Sequence, residues 1–128
     1  MTVAEWMLLA AVLIYLLTIA PFKPLGYREF DNAKPRDPKF WSEPLRARAL
    51  GAHVNGIETF PFFAAAVLLA EFHGAPQHLI DLLAAGFILL RLAFVAAYLL
   101  DTPWTRTLIW NAGFAVNVAI FLMPWWAR

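Results

Sequence analysis

Four long apolar runs, separated by clusters of proline and charge, set the pattern of the chain. The first extends from Thr2 to Ala20 and is closed by Pro21 and Pro24, which remove backbone donors and stop a helix. The stretch that follows gathers Lys23, Arg28, Lys34, Arg36, Lys39, Arg46 and Arg48, broken by Pro24, Pro35 and Pro38. It reads as a polar loop over about 21–43 running into a helix that Ser42 can cap, with Pro44 in the first turn. The second helix is expected over about 44–72, longer than a bilayer needs, so its first turns project from the membrane. A tight connection between Glu71 and Asp81 leads to a third helix over about 77–100. Asp101, Thr102 and Pro103 break it before a fourth over about 104–126. With a first helix over about 2–20, the pattern predicts one all-α domain, an integral membrane four-helix bundle without internal repeat.

Composition supports that solvent. Hydrophobic residues make up 62% of the 128 and charged residues 15%, too few charges to cover the surface of an ordinary soluble domain. Trp6, Trp41, Trp104, Trp125 and Trp126 fall near predicted helix ends, where amphipathic rings meet lipid headgroups. The first run lacks the basic leader of a cleaved signal peptide and carries Glu5 instead, so it reads as a retained helix. Basic residues crowd the first loop and recur as Arg106 in the helix 3–4 connection, while the helix 2–3 connection has no Lys or Arg. Both basic segments are therefore expected in the cytoplasm and both termini on the opposite side, with Arg128 a lone contrary charge. A net charge of +1, with the basic residues beside a membrane, discounts nucleic acid as a partner. The absence of cysteine excludes disulfides, thiolate metal sites and a protein-borne thiol nucleophile.

Chemistry then rests on polar residues inside the spans, where an ionisable group costs at least about 2.5–3.5 kcal/mol and normally faces a partner or a wet cavity. Glu58 on the second helix and Arg91 on the third lie within a few Å of the same depth at about 1.5 Å per residue, and are expected to pair. Glu58→Gln would then leave Arg91 without its anion. Arg48, Asn55 and Glu58 are spaced by 7 and 3, and Arg91 and Tyr98 by 7, so two polar stripes lead from mid-membrane toward the cytoplasm. Arg106 stands at their mouth, and a polar groove there suits a small anionic ligand. Pro61 frees the carbonyl of Ile57 and favours a kink just past Glu58, which either widens a pocket or only sets packing. His53 lies roughly 140° around its helix from Arg48 and is read as a helix-packing hydrogen bond; Asn111 and Asn117 are read as interhelical ones. His73 and His78 with Glu71 or Asp81 form a remote metal candidate, and no metal site is assigned.

The segment ARALGAHVNGIETFPFF, from Ala47 to Phe63, resembles the helix 2 signature of the MAPEG family, the membrane-associated proteins in eicosanoid and glutathione metabolism. Arg48, Ala52, His53, Asn55, Glu58, Pro61 and Phe62 carry the likeness; Arg91, Tyr98 and Arg106 resemble the family's third helix and following turn. The resemblance implies a homotrimer that binds glutathione between protomers near the cytoplasmic side and acts on hydrophobic small molecules reaching it through membrane lipid. Arg48, Asn55, Glu58, Arg91 and Tyr98 would bind the cofactor, and Arg106 would stabilise its thiolate. Gly51 stands where catalytic relatives typically carry another arginine, and Phe94 where some carry a tyrosine. Two readings follow: a glutathione-dependent transferase or peroxidase acting on lipophilic electrophiles or lipid hydroperoxides, and a non-catalytic lipid-binding or accessory subunit of a larger membrane complex. A transporter or channel is a distant third, because four short helices offer no evident alternating pathway.

Overall fold

The computed structural model of the chain describes residues 1–25 and 28–127; Gly26 and Tyr27 of the predicted loop, and the contrary Arg128, lie outside the described residues. Four long helices carry the fold: α1 (Val3–Ile19), α3 (Pro44–Phe72), α4 (Gln77–Leu99) and α5 (Pro103–Trp126), with a short α2 (Phe22–Leu25) and a 3₁₀ turn (Phe40–Ser42) in the first loop. The predicted boundaries agree to within one residue. No strand occurs among the described residues. Helices α3, α4 and α5 are long and apolar enough to cross a membrane, and α1 is a shorter apolar helix of 17 residues. Outward-facing leucines such as Leu17, Leu68, Leu82, Leu89 and Leu108 are exposed, whereas Arg91 and Asn117 are buried. That inversion belongs to a protein dissolved in lipid.

The ends of the helices are fixed by polar groups. Thr2 caps α1: its hydroxyl accepts from the Glu5 amide at 3.1 Å, and the Glu5 carboxylate accepts from the Thr2 amide at 2.7 Å. The cap of α3 is Glu43 rather than the expected Ser42. Its carboxylate accepts from the amides of Arg46 (2.9 Å) and Leu45 (3.1 Å), while Ser42 donates back to Lys39 within the 3₁₀ turn. A carboxylate reaches both amides of the first turn, which one hydroxyl does not. These bonds hold the Glu43 carboxyl below the usual carboxylate range. Pro61 lies inside α3, which continues through it to Phe72.

Helices α3 and α4 form the central pair, with α1 packed on both from one side and α5 from the other. The antiparallel order is pinned at each end. At one, the Thr2 hydroxyl donates to Glu71 at 2.7 Å and the Ala4 amide to Asp81 at 2.8 Å, while the Gln77 amide bridges both carboxylates. These bonds engage two of the residues of the remote metal candidate. At the other end, Arg48 reaches Asp101 at 3.8 Å. The core fills the half nearer Glu71: Ala4, Ala11, Ala66, Ala70 and Ala84 allow close helix approach, and Phe63 stacks on Phe87 at 4.1 Å. Toward the loop end, His53 Nδ1 lies 2.7 Å from the Tyr15 carbonyl, so the expected packing bond forms, with Nδ1 as donor. Beside it the Tyr15 ring lies flat on α3 where Gly56 has no side chain; a Cβ there would meet Tyr15 Cδ1 at 2.2 Å.

Two outcomes check this packing. Gly56→Ala is expected to destabilise the bundle by about 1–3 kcal/mol through overpacking, despite alanine's better helix propensity, measured as loss of thermal stability in detergent. Because the folded-state pKa of Glu43 is depressed, its cap is intact above the unfolded carboxyl pKa and is lost as pH falls through the folded value. Protection of the Leu45 and Arg46 amides, their exchange relative to the intrinsic rate at each pH, should fall over that acidic range, and Glu43→Gln should weaken the cap at neutral pH.

Candidate functional site

Two side-chain rows at helical spacing build the site. On α4, Phe87, Arg91, Phe94 and Tyr98 follow one another by four, three and four residues, and on α5 Arg106, Trp110, Gly113 and Asn117 repeat the same interval. Each set occupies one face of its helix. With Asn55, Glu58, Thr59 and Phe62 of α3 they enclose a hollow of about 220 Å³ lined by Phe87, Arg91, Trp110, Gly113, Phe114 and Asn117. A second hollow of about 210 Å³ lies against Phe94, Tyr98, Arg106 and Thr107, and shares Asn55 and Trp110 as walls. A third, of about 640 Å³, opens on the opposite flank of α3 between Lys23, Arg36, Trp41 and His53. Glu58 borders both the first and the third.

The buried cation does not have the expected partner. Arg91 is 3% exposed and donates through Nη2 to Asn55 Oδ1 at 3.1 Å, while Glu58 is exposed and forms no ion pair with it among the described residues. Asn55 and Glu58 stand one turn apart on α3, so a depth count admits either; the arginine side chain selects the amide. In place of a carboxylate, aromatic faces attend the guanidinium. Its carbon stands 4.4 Å from the Phe94 centroid and 5.9 Å from that of Tyr15, and Nε has no hydrogen-bond partner among the described residues. Phe94 in turn meets Tyr98 edge-on at 5.5 Å, and Arg106 lies 4.3 Å over the Tyr98 ring. The result is a ladder of cation, ring, ring and cation along the α4 face.

Of the residues singled out from sequence, Asn55, Glu58 and Arg91 meet at the first hollow, and Asn55, Tyr98 and Arg106 at the second. Arg48 lines neither. It is drawn to Asp101, whose backbone adopts φ +56° just past the end of α4, a conformation aspartate tolerates better than most residues. Asn111 and Asn117 depart from the interhelical expectation. Asn111 donates within its own helix to the Thr107 carbonyl at 2.8 Å, and Asn117 is 2% exposed with Oδ1 unpartnered beside the first hollow. Trp110 was not among the expected site residues and Asn117 was expected only as an interhelical hydrogen bond; the one signal of their place at the site is their spacing from Arg106. Chemically, the arrangement offers two guanidinium groups and an amide, without a neutralising carboxylate on either arginine among the described residues. It is built to receive hydrogen-bond acceptors or negative charge.

The profile of the MAPEG family matches residues 3–126, nearly the whole chain. Among curated proteins and among solved structures, none matches it.

The partner of Arg91 can be read by mutation. Asn55→Ala removes the hydrogen bond that Nη2 of a buried guanidinium donates and should cost about 1–3 kcal/mol of stability. Glu58→Gln should change stability by no more than about 0.5 kcal/mol, as for an exposed side chain. Unfolding in detergent distinguishes the two, and the reverse order would restore the Glu58–Arg91 pair.

Proposed function

The chain belongs to the MAPEG family, and from that premise we propose that it is a glutathione-dependent transferase or peroxidase acting on lipophilic electrophiles or lipid hydroperoxides. The observation that carries the reading is the ladder: Arg91 and Arg106 are held by aromatic faces and an amide rather than by carboxylates, beside two adjoining hollows. A cation seated on a ring keeps its charge available to a ligand, whereas one in an ion pair has been neutralised. Glutathione, an anionic peptide, suits this donor set and supplies the sulfur nucleophile that a chain without cysteine lacks.

In this reading Asn55, Arg91 and Tyr98 bind the peptide, Glu58 offers an acceptor to its ammonium group, and Arg106 stands by the sulfur. A nearby guanidinium favours the charged form of a thiol, so Arg106 raises the thiolate fraction at neutral pH. The aromatic walls Phe62, Trp110 and Phe114 receive the hydrophobic substrate. Arg48 serves at the periphery through Asp101. The same reading takes the protein as a homotrimer, with the first loop and the α4–α5 connection in the cytoplasm. The concentration of basic residues at that end supports the orientation.

The second reading, a non-catalytic lipid-binding or accessory subunit of a larger complex, draws support from those aromatic walls and from Gly51 and Phe94. Ultraviolet absorbance separates the two. The purified protein with millimolar glutathione should show thiolate absorbance that disappears in Arg106→Ala. Absence of glutathione binding by the unaltered protein would end the first reading, and function indifferent to Arg106→Ala would favour the second.

A further inference from the structure

We infer that Gly51 is a positioning residue, which by lacking a side chain sets where the Tyr98 ring lies and, through that ring, where the Arg106 guanidinium stands. An ideal Cβ on Gly51 would fall 2.6 Å from Tyr98 Oη, 2.9 Å from Cζ and 3.0 Å from Cε1. The phenol therefore occupies the space a side chain would take on α3. The ring is rigid, so its tip cannot yield without the ring swinging about χ1 or χ2. One edge of that swing is blocked by Phe94, in edge-on contact at 5.5 Å, which itself carries Arg91 at 4.4 Å. Displacement is thus directed toward the second hollow, where Arg106 rests 4.3 Å over the Tyr98 face.

Helix propensity argues the opposite sign. Gly51 lies inside α3, where alanine is ordinarily the better residue, so a glycine with no steric duty would be improved by substitution. A glycine with this contact is not. Gly51 is then an active part of the site rather than a vacancy in it. Its effect on chemistry rests on the glutathione reading, but its effect on the position of Arg106 does not.

The experiment therefore has two readouts on the full-length protein in detergent or nanodiscs. The first is the rate at which phenylglyoxal modifies Arg106, followed by peptide mass spectrometry. Arg46, bonded to Glu29 at 2.6 Å and to the Phe40 carbonyl at 3.1 Å, serves as internal standard for intact folding. Gly51→Ala should raise modification of Arg106 several-fold and leave Arg46 unchanged. Adding Gly51→Ala to Tyr98→Ala, where the whole colliding ring is gone, should leave the rate at that of Tyr98→Ala alone. The second readout is the pH profile of thiolate absorbance with glutathione, which should shift alkaline by about one unit in Gly51→Ala, a tenfold loss of thiolate in the titrating range.

Unchanged Arg106 modification in Gly51→Ala overturns the inference, whatever glutathione does. A double variant that exceeds Tyr98→Ala by as much as Gly51→Ala exceeds the unaltered protein assigns the effect to α3 itself and overturns it as well. Absence of thiolate in the unaltered protein ends the glutathione reading, and the labelling rates then decide the inference by themselves.

Discussion

A guanidinium buried to 3% exposure between apolar helices, with an amide and aromatic faces for company, is the constraint around which the rest is arranged. Leaving a charge in such surroundings is costly, and a paired carboxylate would be the usual remedy. Here the cost is met in pieces. Asn55 accepts one hydrogen bond, Phe94 offers a quadrupole at close range, and Tyr15 stands farther off. Tyr15 can occupy that place only because Gly56 lets its ring lie on α3, and it is held there with α1 by the bond from His53 to its carbonyl. The burial of Arg91 therefore depends on how three helices approach one another. It also leaves the guanidinium without a carboxylate partner among the described residues, at a hollow that Glu58 borders without pairing to it.

The division of the bundle into two halves follows from side-chain size. Alanines and the Phe63–Phe87 stack close the centre of the half nearer the α3–α4 connection, where backbones approach. In the other half, large rings from α4 and α5 meet Gly113, Asn55 and Asn117, and the mixture of wide and narrow residues leaves gaps. Within the membrane-spanning part, the buried polar groups Arg91 and Asn117 lie beside the first hollow.

How far the sequence could be read depends on whether a signal is local. Helix limits were legible because Pro21, Pro103 and the Asp101–Thr102 break act on their own backbone. His53 was legible as a packing bond from its angular distance to the polar stripe. The partner of Arg91 was not, because Asn55 and Glu58 satisfy the same depth count and the choice is made by the direction of a long side chain. Gly51 and Gly56 were illegible in a deeper sense: each matters through a tyrosine on another helix, and a residue without a side chain gives no sign of which ring rests on it. The cap of α3 was placed one residue early because Ser42 is a common capping residue and Glu43 is not. The family profile covering residues 3–126 fixes the kinship, and the local contacts give this member its own arrangement.

The polar clasp at the Glu71 end has an effect on the surrounding lipid. Helix α1 has 17 residues and rises about 26 Å at 1.5 Å per residue, a few Å less than a hydrocarbon layer of about 30 Å. Its start is held at the depth of Glu71 and Asp81 by Thr2 and Ala4, so the shortfall cannot be shared between the two leaflets. It falls wholly at the end where α2 and Lys23 follow. A short helix is accommodated by thinning of the bilayer or by a flanking residue such as Lys23 reaching to the interface, and both act at that end. The bundle thereby gathers the length deficit of its shortest long helix at a single end.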